Sequence, residues 1–381
     1  IMIQFKLSSE QKLIQESTKE FAEQYISPGV IDRDQKSTFP KSQIRKLGEL
    51  GYMGMMIPSK WGGSELDTIS YVIAIEEIAA VELATSTIMS VNNSLVCQVL
   101  NDFGTEEQKR KYLKSLASGK KLGAYCLSES QSGSDASNIT TIAKKRGRDF
   151  FISGSKNWVT NGINSDILIV FCLTDAKLKK KGISAFIIDK NTKGISLGKK
   201  EDKLGLRASD TCQIFFDRCR VSSNNLLGKE GEGLKIALNT LSGGRIGIAA
   251  QSVGLARSAL DQAIKYSKER VQFKKSISQF GAIKNKISEL ATDIEAARML
   301  VWKAAYLKDN GENYVKESSM AKLFSSNIAM KAASECVQIH GGYGYIQEYG
   351  VERLMRDAKI TQIYEGTSEI QKLVIAKELL Q

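Results

Sequence analysis

The apolar residues of this chain change their spacing twice, and that double switch narrows the possible folds more than any single motif. Up to about residue 121 they recur at three- and four-residue steps, as in Leu13, Ile14, Phe21, Ala22, Tyr25 and Ile26. Such spacing predicts helices, the first with Ser8 or Ser9 as N-cap and Pro28 as a stop. A second apolar-rich helix is predicted over 71–80, and a third through "GTEEQKRKYLKSLASGK", closed by Gly119. From about 122 to 230 the pattern becomes short β-type runs: "DFFISG", "NWVTNG", "DILIVFCLT", "ISAFIIDK" and "CQIFFDRCRV". Turn residues such as Gly154, Asn161-Gly162 and Gly182 punctuate them. No long helix separates these runs, so a β-barrel or sandwich is expected rather than βαβ units. From about 231 the helical period returns, in stretches long enough for antiparallel bundle helices. The expected organisation is α+β in the order α–β–α, with segments 1–121, 122–230 and 231–381.

Composition then removes function classes. A chain of 381 residues, 42% hydrophobic and 25% charged, can bury a sizeable core and reads as an ordinary globular protein. No apolar run reaches the roughly 18 to 20 residues of a membrane span. The N-terminal "IMIQFKLSSEQ" has neither a signal peptide's apolar core nor an Arg-rich transit pattern. Bacterial cytoplasm, or the mitochondrial matrix for a eukaryotic protein, is the expected location. The net charge of +12 comes from basic residues that are scattered or in short runs such as "KLKKKG" at 177–182. Without a basic stripe interleaved with aromatics, a solvated basic surface or a phosphate-bearing small molecule fits better than nucleic acid. The six cysteines form no CxxC pair and His340 is the single histidine. Zinc ribbons, thioredoxin-like chemistry and multi-histidine metal sites are unsupported, and no metal is expected. If the chain performs acid–base chemistry, a carboxylate is the expected base.

Several segments carry residue types suited to chemistry. "IYEGTSEIQ" (363–371) places Glu365 at a break between two helical stretches. Either Thr367 or Ser368 caps a last helix and Glu365 is solvated, or Glu365 is held in an apolar pocket to take a proton. "GAYCLSESQSGSD" (123–135) leaves an apolar strand for a run of Ser, Gly and Asp whose N–H groups and hydroxyls suit a polar ring edge or a phosphate. In "NWVTNG" Trp158 and Thr160 fall on one face of a strand. Stacking of the indole on a planar cofactor and ordinary core packing are both open there. Arg270 in "ERVQF" suits a pyrophosphate clamp or a surface ion pair. In "QIHGGYGY" the paired Gly341 and Gly342 suit a helix C-cap or close approach to a dinucleotide.

Together, and in this order, these segments resemble the acyl-CoA dehydrogenase family of flavoproteins over essentially the whole chain. The likeness is closest to the short-chain, butyryl-type branch, through "IMSVNNSL" (88–95), "GKKEDKLGLRASDT" (198–211), "GRIGIAAQSVGLA" (244–256) and "IYEGTSEIQ". The resemblance implies an N-terminal helical domain, a central β-barrel domain and a C-terminal four-helix bundle, assembled as a homotetramer. It implies FAD between barrel and bundle, with its adenine end reaching a neighbouring subunit. Tyr125, Cys126, Leu127 and Ser128, on to Ser134, match the flavin-lining stretch, and Trp158, Val159 and Thr160 match the cover of the ring near N5. Arg270, Phe273 and the run Gln338, Ile339, His340, Gly341 and Gly342 match positions serving the ADP part of FAD. Thr367, Ser368 and Glu369 match positions that return to the cofactor in the first subunit. Ser134, Ser242, Arg245 and the Gly366 backbone match acyl-CoA contacts, and Glu365 matches the catalytic base.

By the same resemblance the expected reaction is α,β-dehydrogenation of a short acyl-CoA, with electrons passed to an electron-transferring flavoprotein. The position that carries the base in the isovaleryl-type branch is Gly244 here, and "LATSTIMSV" lacks the arginine that holds a glutaryl carboxylate. Four departures bear on ligand contacts. Ser130 replaces a usual proline, Lys274 a usual glycine, Gly281 a glutamine near adenine, and Ser242 an aspartate that often meets CoA. The alternatives are an acyl-CoA oxidase, expected to need a further C-terminal domain beyond Gln381, and a non-catalytic flavin-fold or nucleic-acid-binding protein.

Overall fold

The computed structural model describes residues 6–381. The helical N-terminal part contains α1 (Ser9–Phe21), α2 (Val30–Gln35), α3 (Lys41–Glu49), α4 (Thr68–Val81), α5 (Leu83–Ser90), α6 (Gln98–Phe103), α7 (Glu106–Gln108) and α8 (Lys114–Ala117). Ser8 is the N-cap of α1, in a capping box with Gln11. The helix runs on through a π-helical turn, Ala22–Ile26, and stops short of Pro28. Helix α5 likewise continues through seven π-helical residues, Val91–Cys97, into α6. Two buried amides hold that widened stretch. Asn92 donates to the Met53 carbonyl at 2.8 Å, and Asn93 to the Tyr52 and Met89 carbonyls at 2.8 and 2.9 Å. Wide turns of this kind are costly enough to occur mostly at functional places, and Leu95 lies in this one.

The central sheet is built from β1 (Gly123–Cys126), β2 (Ile142–Arg146), β3 (Asp149–Thr160), β4 (Ile167–Leu173), β5 (Ile183–Asp189), β6 (Ile195–Lys200), β7 (Thr211–Ser222) and β8 (Leu226–Leu227). Its strand order is β6-β7-β3-β2-β4-β5-β8, with β1 pairing β4 in parallel. The sheet bends at β2, which meets β4 through the single pair Ile142–Leu173. The bend encloses a core of Phe150, Ile152, Val170, Phe186, Ile214 and Phe216. The opposite faces of β4 and β5, with Ile167, Ile169, Phe171, Ala185 and Ile187, pack against the N-terminal helices. Strand β4 is therefore buried on both faces, and each such Leu, Ile, Val or Phe contributes roughly 1.5–3 kcal/mol of apolar burial.

Two expectations for this region change. "DFFISG" and "NWVTNG" are one strand, β3, and Gly154 is not a turn between them. A Cβ at Gly154 would sit 2.6–2.9 Å from Thr141 atoms, and its φ of +142° falls at a register shift, so the glycine marks a mid-strand bulge. A second shift lies between Lys156 and Val159, and there Trp158 takes φ +59°. Plain alternation with Thr160 is broken, and the indole is 65% exposed rather than packed in the core.

The C-terminal part holds α9 (Gly233–Glu269), a small hairpin of β9 (Val271–Gln272) and β10 (Lys275–Ser276), α10 (Gly281–Asp309), α11 (Val315–His340), α12 (Val351–Thr361) and α13 (Ser368–Leu380). Helices α9, α10 and α11 pack on one another and α13 lies along α11, so that one core joins this bundle to α4. Arg257 and Arg298 fix α4 from outside through the buried carboxylates of Glu76 and Glu77. All six cysteines are buried and unpaired, and no described helix is long and apolar enough to cross a membrane.

Candidate active site

Helix α12 ends at Thr361 and α13 begins at Ser368, and the turn between them carries Glu365. Thr367 is the N-cap of α13, its hydroxyl accepting from the Ile370 N–H. The Tyr364 N–H donates to the Ile360 carbonyl and the Ser368 N–H to the Gln362 carbonyl, both at 3.0 Å. Between these fixed ends Glu365 adopts φ +52° and Gly366 φ +91°. A left-handed backbone at a non-glycine residue is costly and persists only where its surroundings hold it. Here it turns the carboxylate inward. The residue is half-buried, yet Oε2 is shielded from solvent and accepts no hydrogen bond. Gly244 of α9 faces it. A Cβ there would collide with Oε2 and come within 2.8 Å of Leu95 Cδ2.

Burial pushes the Glu365 carboxyl up to about 7, while the Lys322 ammonium and the Arg245 guanidinium hold it down in part. Arg245, on α9, is buried, donates to Ser319 Oγ at 3.1 Å and keeps Nε unpartnered. Lys322, on α11, has no exposure and donates to the Gly366 carbonyl at 2.7 Å. Sequence reasoning passed over Lys322. The signal was present: a lone lysine among Ser318, Ser319, Ala321, Ser325 and Ser326, the small residues of one buried helix face. Gln371 was also missed, and it donates to the same carbonyl at 2.8 Å.

Beyond the carboxylate, successive turns of α9 meet buried polar groups. A Cβ on Gly247 would lie 2.8 Å from both Ser90 Oγ and Tyr71 Oη, and the Tyr71 hydroxyl itself donates to Ser90 Oγ at 3.0 Å. One turn further, the Tyr364 hydroxyl donates to Gln251 Oε1 at 2.8 Å, and Gln251 Nε2 donates to Thr87 Oγ1 at 3.3 Å. Apolar space beside Glu365 is thus closed off within about two helical turns.

The loop after β1 is fastened from below. Cys126 and Leu127 are buried and Tyr125 and Ser128 half-buried, with the Ser128 carbonyl accepting from the Asn157 N–H at 2.8 Å. Buried Lys156 donates to the Leu127 carbonyl at 3.0 Å and to Glu129 Oε1 at 2.6 Å. Burial alone would raise the Glu129 carboxyl, but Lys156 and the Thr140 and Thr141 donors bring it down to about 2. Ser130 is exposed in the tight turn between Glu129 and Ser132, and Ser134 is exposed just after it. Val159 is buried and Thr160 half-buried at the end of β3.

The remaining candidates stand elsewhere. Arg270 caps the far end of α9, pairs with no carboxylate among the described residues, and lies over the Tyr343 ring at 5.5 Å. Phe273, at the hairpin tip, is 88% exposed. Gln338 is exposed and Ile339 buried, and His340 stacks on Tyr266 at 4.2 Å with Nδ1 2.8 Å from the Cys336 carbonyl. The single histidine is therefore a satisfied core residue. Gly341 is the C-cap of α11, and nothing lies within 4 Å of a Cβ built on Gly341 or Gly342. His340 follows Lys322 by 18 residues on one helix, which at 1.5 Å per residue separates them by about 27 Å. One chain thus unites Glu365, Gly366 and Arg245 but leaves Arg270 and Gly341 far off. Ser242 is buried and donates back to the Leu238 carbonyl at 3.0 Å, and Ser368 is buried while Glu369 is exposed. No group of three metal-ligating side chains converges among the described residues.

Models of three consecutive domains match the chain: acyl-CoA dehydrogenase, N-terminal domain, at 8–120; middle domain at 124–219; and C-terminal domain at 231–380. The short-chain specific acyl-CoA dehydrogenase of Clostridium acetobutylicum is 46% identical over 377 residues, 99% of this chain and 100% of that one. The structure of butyryl-CoA dehydrogenase from Megasphaera elsdenii has a TM-score of 0.98 at 44% identity, covering 100% of both chains. A chain in a structure of the electron transferring flavoprotein of Acidaminococcus fermentans, described as working towards a mechanism of flavin-based electron bifurcation, also reaches 0.98, at 46% identity over 100% of each chain. With its length matched from end to end, the chain belongs to the acyl-CoA dehydrogenase family.

Proposed function

We propose that this enzyme dehydrogenates short, straight, uncharged acyl-CoA thioesters to trans-2-enoyl-CoA, with FAD as cofactor and an electron-transferring flavoprotein as acceptor. The observation that carries the reading is the unpartnered, shielded Oε2 of Glu365 against Gly244. A proton on the carbon beside a thioester carbonyl is weakly acidic, so its removal needs a base poised near neutrality and a stabiliser for the developing oxyanion. Glu365 takes that proton. The Cα–H electron pair becomes the second Cα–Cβ bond, and the β-hydrogen departs with its own pair. FAD, when bound, supplies the two-electron acceptor for that hydride. The Glu365 N–H donates to no group among the described residues, which leaves it free to hold the thioester oxygen.

Substrate size follows from the buried network. Tyr71, Ser90, Gln251 and Thr87 close the space beyond Gly244, and a long chain would have to break their hydrogen bonds. Residues 86–89 are buried and include no cation, so a second carboxylate would be left unpaired. Gly244 also excludes a base on α9, since any side chain there would displace Glu365.

The residues present suit FAD. Exposed Trp158 and the Tyr125–Ser134 loop offer a flat surface and polar donors for the ring system, and Thr367, Ser368 and Glu369 form the start of α13, next to the Glu365 turn. Arg270, Phe273 and the open backbone at Gly341 and Gly342 suit a pyrophosphate and adenine. Their distance from Glu365 along α11 supports the reading that they serve FAD bound mainly by another subunit of a homotetramer. The test is direct. Purified protein should release FAD on acid precipitation, sediment as about four chains, and be bleached by butyryl-CoA in preference to palmitoyl- or glutaryl-CoA. A higher kcat/KM for either of the latter two would overturn the substrate assignment.

A further inference from the structure

We infer that Lys322 is a positioning residue for the base: from α11 it clamps the left-handed Glu365–Gly366 turn and sets the charge that the carboxylate faces. The inference rests on the reading of Glu365 as the base. A fully buried lysine is expensive unless it is paired, and the one hydrogen bond of Lys322 goes to the Gly366 carbonyl at 2.7 Å. Gln371 donates to that carbonyl from a second helix, α13, at 2.8 Å. Two donors on two helices therefore hold one peptide, in a turn whose residues both have positive φ. That carbonyl belongs to the Gly366–Thr367 peptide, so the two donors fix the backbone torsions of Gly366, and their loss would free the turn that aims the Glu365 side chain.

The charge acts in a second way. Facing Glu365 are Lys322 from α11, Arg245 from α9, Tyr71 from α4, Tyr125 from β1 and the adjoining Tyr364; Glu369 of α13 acts on Lys322. The three phenols carry no charge at neutral pH, so the cations alone oppose the burial that keeps Glu365 protonated. Burial brings Lys322 itself down to about 8, against the upward pull of the Glu365 carboxylate. Without it the carboxyl would rise, and less of it would be ionised at neutral pH.

Two variants separate clamp from charge. Lys322→Gln keeps a donor for the Gly366 carbonyl but no charge, whereas Lys322→Met removes both. The measurement is single-turnover flavin bleaching by butyryl-CoA as a function of pH in the FAD-loaded tetramer, with flavin content recorded. In Lys322→Gln the half-maximal point should move up by about one pH unit, with the alkaline plateau largely kept. In Lys322→Met the plateau should also fall at least roughly tenfold. A profile for Lys322→Gln that overlays wild type, with Glu365→Gln inactive, would overturn this inference and leave the base in place. Continued bleaching by Glu365→Gln would instead overturn the underlying reading. Loss of flavin or of folded protein in both lysine variants would make Lys322 merely structural and would also overturn the inference.

Discussion

The two ends of helices α9 and α11 are built on opposite terms. At the Gly244 and Lys322 end, side chains are buried, one backbone carbonyl is held by two donors, and one carboxylate oxygen is kept dry beside a glycine. At the Arg270 and His340 end, aromatic side chains such as Phe273 and Tyr345 stand in solvent, an arginine lacks a carboxylate, and backbone glycines face open space. The first region is complete within one chain. The second presents chemistry that needs something laid against it. Under the proposed function the contrast is a division of labour, with proton handling built by local packing and dinucleotide binding left to assembly.

The largest expected effect tests the finished end. Glu365→Gln keeps the shape of the side chain but removes its basic oxygen. Bleaching by butyryl-CoA should fall by at least about 10² to 10⁴ with FAD content unchanged. Stability should move the other way, and the sign can be worked out. The folded carboxyl is raised to about 7, so the neutral form stabilises the fold fully below the ordinary carboxylate range, and that stabilisation is lost as pH rises through about 7. The variant should therefore gain on wild type above neutrality, by on the order of 1–2 kcal/mol for this half-buried group, and show no gain near pH 4. Denaturation at the two pH values checks it. Bleaching within about tenfold of wild type would erase the difference between the two ends.

The next effect tests the open end. Arg270→Ala should weaken FAD retention by roughly 1.5–3 kcal/mol, about 10- to 150-fold, as expected for loss of a charge-assisted contact. Rate per bound flavin should be untouched, because Arg270 lies at the far end of α9 from Gly244. Equilibrium dialysis against FAD, paired with bleaching of the loaded fraction, reads both. A loss in rate per flavin would mean that the ends are coupled along the helix.

The same contrast explains what the sequence made legible. Period and punctuation made the α–β–α order legible, because spacing of apolar residues records which face of an element is buried. Glu365 was legible as a carboxylate at a helix break, and the cap of the following helix as Thr367 or Ser368, of which it is Thr367. The bulges in β3 were not, since Gly154 and Trp158 depend on what crosses the strand, Thr141 in one case and a register shift in the other. Lys322 was marked as a lysine on a small-residue helix face, but its partner, like that of Gln371, is a backbone carbonyl, which no residue type marks in the sequence. At the open end the residue types of Arg270, Gly341 and Gly342 left a pyrophosphate or dinucleotide reading open beside a plain one, and only the resemblance chose between them. Its residues make too few contacts within the chain to constrain one another.

The smallest effect probes how unfinished the open end is. Gln272 pairs with Lys275 across the hairpin, so Phe273 and Lys274 form its two-residue loop, with φ +51° and +63°. Two left-handed residues in succession describe a type I′ turn, whose second position strongly prefers glycine. Lys274 fills that position with a Cβ that crowds the following carbonyl, a cost that glycine avoids. Glycine also gives the unfolded chain more freedom, which takes back part of the gain. Lys274→Gly should therefore strengthen the hairpin by only about 0.5–1 kcal/mol, a two- to five-fold rise in hydrogen-exchange protection of the β9 and β10 amides. Bleaching at Glu365 should not change. A fall in protection would show that the Lys274 side chain already holds the hairpin against a neighbour, and that this end is less open than its exposure indicates.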